Sequence, residues 1–135
     1  MILGIGTDIV DVRRIKRLME RFDDRFLNRV FTDAERAGAM SRGQLADLYF
    51  AKRFAAKEAV YKALSGSGVD GMGWRDAETT NLAGGAPKLL LTGRCKTALE
   101  RLAPEGYNAA VSLSLSDEPP YAVAFVVISA QRQSK

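Results

Sequence analysis

No histidine occurs anywhere in the 135 residues. That absence removes a Ser-His-Asp triad, a Cys-His nucleophile pair, a His-ligated metal and a His-held haem. The lone cysteine, Cys95, excludes internal disulfides and a four-thiolate zinc site. Proton chemistry therefore falls to Asp, Glu, Lys, Tyr or water. Any metal must be held by oxygen, which points to Mg²⁺, Mn²⁺ or Ca²⁺. No apolar run approaches the roughly 18 residues of a membrane span. Met1-Ile2-Leu3-Gly4-Ile5-Gly6 carries no basic leader before Asp8, so no secretory signal is expected. The expectation is a cytoplasmic protein with no membrane segment. No Pro/Gly linker, low-complexity tract or internal repeat breaks the chain, so residues 1–135 are expected to form one domain.

What is present suits a packed core: 47% of residues are hydrophobic and 27% charged. A net charge of +4 fits an anionic partner, whether nucleic acid, a phosphorylated small molecule or an acidic protein. Residues 2–10 are apolar and β-branched and read as a buried strand. Residues 11–22 switch to helical spacing, with Val12, Ile15, Leu18, Met19 and Phe22 on one side and Arg13, Arg14, Lys16, Arg17 and Arg21 on the other. Thr32-Asp33-Ala34-Glu35 fits a capping box and starts a short helix ending near Gly43. Residues 44–64 read as a long helix stopped by Ser65-Gly66-Ser67-Gly68. Residues 76–82 and 88–91 form a hairpin, 94–102 a fourth helix, and 109–115 and 121–128 two strands, with a frayed tail from 129. The expected class is α+β, a mainly antiparallel sheet with a long central helix.

Four features carry candidate chemistry. Asp8 sits in an apolar strand, where a carboxylate either reaches water, caps the next helix or holds a metal. Glu58 and Lys62 share a helix face at i, i+4. They form either an exposed ion pair or, beside small alanines, a carboxylate for Mg²⁺ and a lysine for phosphate. Gly66-Ser67-Gly68 is either a helix stop or a backbone wrap for phosphate, and it is read as lacking the spacing of a P-loop or a dinucleotide fingerprint. The arginine-studded helix is either a solvated face or a dock for an acidic partner, with Arg14, Arg17 and Arg21 on one stripe.

Met1-Ile2-Leu3-Gly4-Ile5-Gly6-Thr7-Asp8-Ile9-Val10 resembles the opening of the holo-acyl-carrier-protein synthases. Arg53-Phe54-Ala55-Ala56-Lys57-Glu58-Ala59, followed by Lys62-Ala63-Leu64, resembles their second signature. Trp74-Arg75-Asp76-Ala77-Glu78, Gly85-Ala86-Pro87-Lys88 and Val111-Ser112-Leu113-Ser114 are similar to later segments, so the resemblance spans nearly the whole chain. It implies transfer of 4′-phosphopantetheine from coenzyme A to a serine of apo-acyl carrier protein, with Mg²⁺, in a homotrimer whose sites lie between subunits, in support of fatty acid biosynthesis. It implies Asp8 and Glu58 as metal ligands and Lys62 on a phosphate. It also implies Arg53 and Gly66, Ser67 and Gly68 near the coenzyme, and Arg14 and Arg21 against the carrier protein. One departure stands out. The family often reads Val-His-Val-Ser-Ile-Ser-His near residues 110–115, where this chain has no imidazole.

The implied reaction is attack by the serine hydroxyl on the β-phosphorus of coenzyme A, with adenosine 3′,5′-bisphosphate leaving. Pyrophosphate charge must be neutralised, and the serine proton must pass to a carboxylate or a metal-ordered water; Glu35 is a candidate base or supporting residue. Two other readings remain at this stage. A nucleic-acid module would need aromatics interleaved with basic residues, and Tyr121 and Phe125 lie on a strand without Lys or Arg. A non-catalytic trimeric scaffold would not need to keep Asp8, Glu58 and Lys62 together.

Overall fold

Alanine is the strongest helix former and the smallest side chain that is not glycine, and residues 46–64 contain six of them. The result is α4 (Ala46–Leu64), a central helix buried on most of its circumference by Phe50, Ala55, Ala59, Val60, Ala63 and Leu64. The computed structural model describes residues 1–134. Around α4 the chain runs β1 (Ile2–Asp11), α1 (Val12–Phe22), α2 (Asp24–Val30) and α3 (Asp33–Met40). After α4 come β2 (Ala77–Asn81), β3 (Pro87–Leu91), α5 (Gly93–Leu102), β4 (Tyr107–Glu118) and β5 (Tyr121–Arg132). This is the expected α+β class. Strands β1, β5 and β4 lie in that order in an antiparallel three-stranded sheet, while β2 and β3 form a separate hairpin.

The two faces of the larger sheet differ because side chains alternate along a strand. Ala122, Ala124, Val126 and Ile128 of β5 are buried toward the core. Their partners on β1 are Val10, Asp8, Gly6 and Gly4, which therefore share that inner face. Gly4 and Gly6 are where the helix meets the sheet. A β-carbon at Gly4 would overlap the Ala63 carbonyl oxygen, and one at Gly6 that of Ala59. The strand thus lies on the α4 backbone itself, and Asp8, two residues on, faces the same helix. The opposite face holds Ile5, Ile9, Tyr121 and Phe125, all exposed, beside Ser112, Ser114 and Ser116.

Several expectations need correction. The short helix α2 was not anticipated: its seven residues bury only Leu27 and Val30, too few to print a period. The stretch 94–102 is consequently the fifth α-helix. Residues 43–45 form a 3₁₀ turn before α4, and α3 ends at Met40. The tail is not frayed from 129. Ala130 N donates to Met1 O at 2.8 Å and Arg132 pairs with Tyr107, so backbone partners extend β5 where apolar residues run out.

Gly6→Ala tests the close approach. Overpacking against a helix carbonyl should cost roughly 1–3 kcal/mol or more of unfolding free energy, read by urea denaturation. An unchanged midpoint would show that β1 and α4 are not in this contact.

Candidate active site

The β1–α4 contact sets the site. Glu58 and Lys62 lie one turn apart on α4, next to the Ala59–Ala63 ridge that receives β1. The Lys62 Nζ donates to Asp8 Oδ1 at 3.2 Å and to Thr7 O at 2.9 Å. Thr7 Oγ1 in turn donates to Ala124 O at 3.1 Å, tying that turn of β1 to β5. Partial burial, and then the nearby Asp8 charge, raise the Glu58 carboxyl above its ordinary pKa, against the pull of Lys62 and Arg14. Asp8, Glu58 and Lys62 are thus brought together as expected, and Arg14 joins them. Two carboxylates that repel each other are here opposed mainly by one half-exposed lysine, an all-oxygen donor set of the kind that hard cations prefer. Among the described residues no third His, Cys, Asp or Glu completes a closed metal cage.

Glu35 is not brought to this site. It is 1% exposed, and its carboxylate is fully engaged: Oε1 accepts from Lys57 Nζ at 2.7 Å and Thr32 N at 3.0 Å, and Oε2 from Thr79 N at 3.1 Å. A carboxylate saturated by internal donors and sealed from solvent has no open position for a substrate proton, so the expected base role at Glu35 is corrected.

Arg53 is a different kind of buried cation. It is 3% exposed, and no carboxylate of the described residues pairs with it. One guanidinium nitrogen donates to Asn81 Oδ1 at 3.1 Å, the plane stacks 3.6 Å from the Tyr49 ring centroid, and Nε has no partner. Burial pulls its pKa down. It lines a small cavity of about 120 Å³ with Arg42, Lys52 and Asn81. Arg53 thus brings a guanidinium without a carboxylate partner to this cavity, beside Arg42 and a Lys52 that Asp117 pairs at 3.0 Å. Arg42, Lys52 and Asn81 were missed in the sequence: Arg42 and Asn81 lie far from Arg53 along the chain, and Lys52, though adjacent to it, carries no signal that it shares the cavity.

Gly66 and Ser67 belong to a 3₁₀ turn directly after α4, and Gly68 closes it at φ 72°, a conformation that calls for glycine. Gly66, Gly68 and Gly71 do have G-x-G-x-x-G spacing, but the run follows a helix, not the strand a dinucleotide fingerprint requires. The turn lies one helical turn beyond Lys62, whose carbonyl accepts from Ser65 Oγ at 2.8 Å. Ala110 and Leu115, at the positions where the resemblance led us to expect imidazoles, lie on opposite faces of β4 and offer no side-chain donor.

Arg14 and Arg21 are both exposed on α1. Arg14 sits over the Phe54 ring and Arg21 over Phe22. Arg13 is drawn away by Asp11, 2.7 Å off, whose carboxyl falls to about 2 through that hydrogen bond. Beside the stripe runs an apolar groove of about 550 Å³, floored by Leu18, Phe26, Phe54 and Trp74 and edged by Arg25 and Arg29.

Comparison with known proteins adds the following. Residues 4–126 match the 4′-phosphopantetheinyl transferase superfamily. A holo-[acyl-carrier-protein] synthase of Rhodopseudomonas palustris (strain TIE-1) is 53% identical over 134 residues, covering 96% of this chain and 91% of that protein. The crystal structure of the Neisseria meningitidis holo-[acyl-carrier-protein] synthase superposes with a TM-score of 0.81 at 40% identity, covering 96% of this chain and 99% of that one. A coenzyme A complex of the synthase described as from Chronobacterium ammoniagenes gives 0.77 at 27% identity, covering 96% and 98%.

The raised Glu58 pKa fixes a sign. The folded state holds that proton more tightly than the unfolded one, so the contribution of Glu58 to stability is present below its unfolded pKa and lost as pH rises through the folded value. Glu58→Gln should therefore melt at or above the parent at pH 7, and the gap should close as pH falls toward the carboxylate range. A variant that melts well below the parent at pH 7 would make Glu58 a structural partner instead.

Proposed function

Since the chain belongs to the 4′-phosphopantetheinyl transferase superfamily as one of the holo-[acyl-carrier-protein] synthases, which move phosphopantetheine onto apo-acyl carrier protein, we propose that Asp8, Glu58 and Lys62 carry that transfer with Mg²⁺. The observation that supports this most is the meeting of a strand carboxylate, a helix carboxylate and a lysine at one place on the β1–α4 seam. The all-oxygen donor set of Asp8 and Glu58 suits Mg²⁺, which when bound supplies charge neutralisation at the pyrophosphate. Lys62 presents its ammonium to a phosphate oxygen, released from Asp8 as the substrate enters. The serine oxygen forms the new bond to the β-phosphorus, the bond to the bridging oxygen breaks, and adenosine 3′,5′-bisphosphate leaves. With Glu35 sealed, Asp8 and Glu58 are the carboxylates of this site that can take the serine proton.

Coenzyme A carries a 3′-phosphate as well as its pyrophosphate. The unpaired Arg53, with Arg42 and Lys52, supports a second phosphate contact there, and the Gly66–Gly68 turn lies against the coenzyme near Lys62. The acidic carrier protein docks on α1 through Arg14 and Arg21, its apolar side entering the groove floored by Leu18, Phe26 and Phe54. Arg14 is the bridge between dock and chemistry, because its charge is felt at Glu58. The uncovered sheet face with Ile5, Ile9, Tyr121 and Phe125 supports a homotrimer assembled through it. The reading includes a cytoplasmic role in fatty acid biosynthesis.

One assay tests both parts. Incubated with coenzyme A and Mg²⁺, apo-carrier protein should gain about 340 Da, the mass of phosphopantetheine, joined to its serine as a phosphodiester. Asp8→Asn should fold normally yet lose transfer by about 100-fold or more. Arg14→Glu with Arg21→Glu should raise KM for carrier protein, leave KM for coenzyme A nearly unchanged, and narrow its deficit as salt screens the wild type. Full activity in Asp8→Asn removes Asp8 from the site; unchanged carrier-protein use in the double variant removes the dock.

A further inference from the structure

Strand β2 pairs only with β3, so its other edge is free. The ladder to β3 uses alternate residues: Thr92 N donates to Asp76 O, and Leu82 N to Ala86 O. The N–H and C=O groups of Ala77 and Thr79 therefore point away from β3, and both residues are buried. Buried backbone groups need partners. Here two side chains supply them in place of a neighbouring strand. Lys57 Nζ donates to Ala77 O at 2.7 Å, and Glu35 Oε2 accepts from Thr79 N at 3.1 Å. The two side chains also pair with each other at 2.7 Å, both fully buried. Glu35 is itself fixed by the capping box at the start of α3, where Thr32 N donates to its Oε1. The pair thus clamps β2 to α3 and α4 at once.

Two residues along the clamped strand stands Asn81, whose Oδ1 accepts from Arg53. Arg53 is four residues before Lys57 on α4, one turn away. We propose that Glu35 and Lys57 are positioning residues for coenzyme binding: by standing in for a strand along β2, they hold Asn81 against Arg53 and so aim the guanidinium at its anion. The proposal rests on the reading of Arg53 as a phosphate contact. It gives the corrected Glu35 a role that involves no substrate proton. It also accounts for a buried charge pair where apolar residues would fill the space as well, since such pairs contribute little net stability.

The test uses the full-length enzyme, coenzyme A and adenosine 3′,5′-bisphosphate. Glu35→Met with Lys57→Met removes both charges together, so neither is left buried alone, and leaves Ala77 O and Thr79 N unpaired. KM for coenzyme A and Kd for the bisphosphate should each rise about tenfold, as expected for loss of one aimed charged contact, with kcat changed less than about twofold. Amide exchange at Thr79 should quicken. Glu35→Gln with Lys57→Met restores an acceptor for Thr79 N and should recover most of the affinity. A Met/Met variant with parental KM, or one that loses kcat at unchanged KM, overturns the proposal. Arg53→Met separates the two layers. If it binds the bisphosphate as the parent does, the Arg53 reading fails and the proposal with it; if it loses binding while Met/Met keeps it, only the positioning role is wrong. Should Met/Met not fold, Asn81→Ala on the exposed end of β2 carries the test, and a parental KM for coenzyme A there is equally decisive.

Discussion

Everything at the site depends on how closely β1 lies on α4. A strand normally stands off a helix by its side chains; here Gly4 and Gly6 remove them, and Ala59 and Ala63 keep the helix side low. The strand backbone meets helix carbonyls with no space for one methyl group. Because side chains alternate along β1, the residue that follows on the same face is Asp8. Because helix neighbours repeat at three and four, the residues flanking the Ala59–Ala63 ridge are Glu58 and Lys62. The chemistry-bearing groups come from opposite ends of the first half of the chain and are joined by four small residues.

The second organising constraint is charge inside α4. Arg53 and Lys57 are one turn apart and both buried, yet they end in opposite conditions. Lys57 has a carboxylate and a carbonyl, so its ammonium is satisfied within the fold. Arg53 has an amide oxygen and an aromatic face, with one nitrogen unpaired. Burial lowers the pKa of both, but only Arg53 lacks an anionic partner among the described residues. One cation is matched by an anion within the fold; the other is not, which is why we read it as a ligand contact. This contrast, more than net charge, separates scaffold from site in a chain that carries twenty Lys and Arg residues.

Much of this was legible in the sequence. Asp8 was conspicuous as an acid in an apolar strand, and Glu58 with Lys62 by their i, i+4 spacing. The Thr32–Glu35 capping box was read correctly, and both of its hydrogen bonds form. What the motif could not convey is where the remaining carboxylate oxygen goes; it reaches β2 at Thr79, 44 positions away. That long-range contact turned an apparent catalytic candidate into an internal tether. The burial of Arg53 was equally invisible, because it depends on Tyr49, Asn81 and the hairpin closing over it. Helix α2 escaped notice because charged residues outnumber its two buried ones, and the end of β5 because its partners are backbone groups, which carry no sequence signal.

The central claim is that the β1–α4 seam makes Asp8 and Glu58 a shared site for one divalent cation. Calorimetric titration of the apo-enzyme with Mg²⁺ in the presence of adenosine 3′,5′-bisphosphate tests it most directly, run on the parent, Asp8→Asn and Glu58→Gln. The account predicts one ion per chain in the parent and loss of that binding in each single variant, with all three proteins folded. Parental Mg²⁺ affinity in either variant would contradict it.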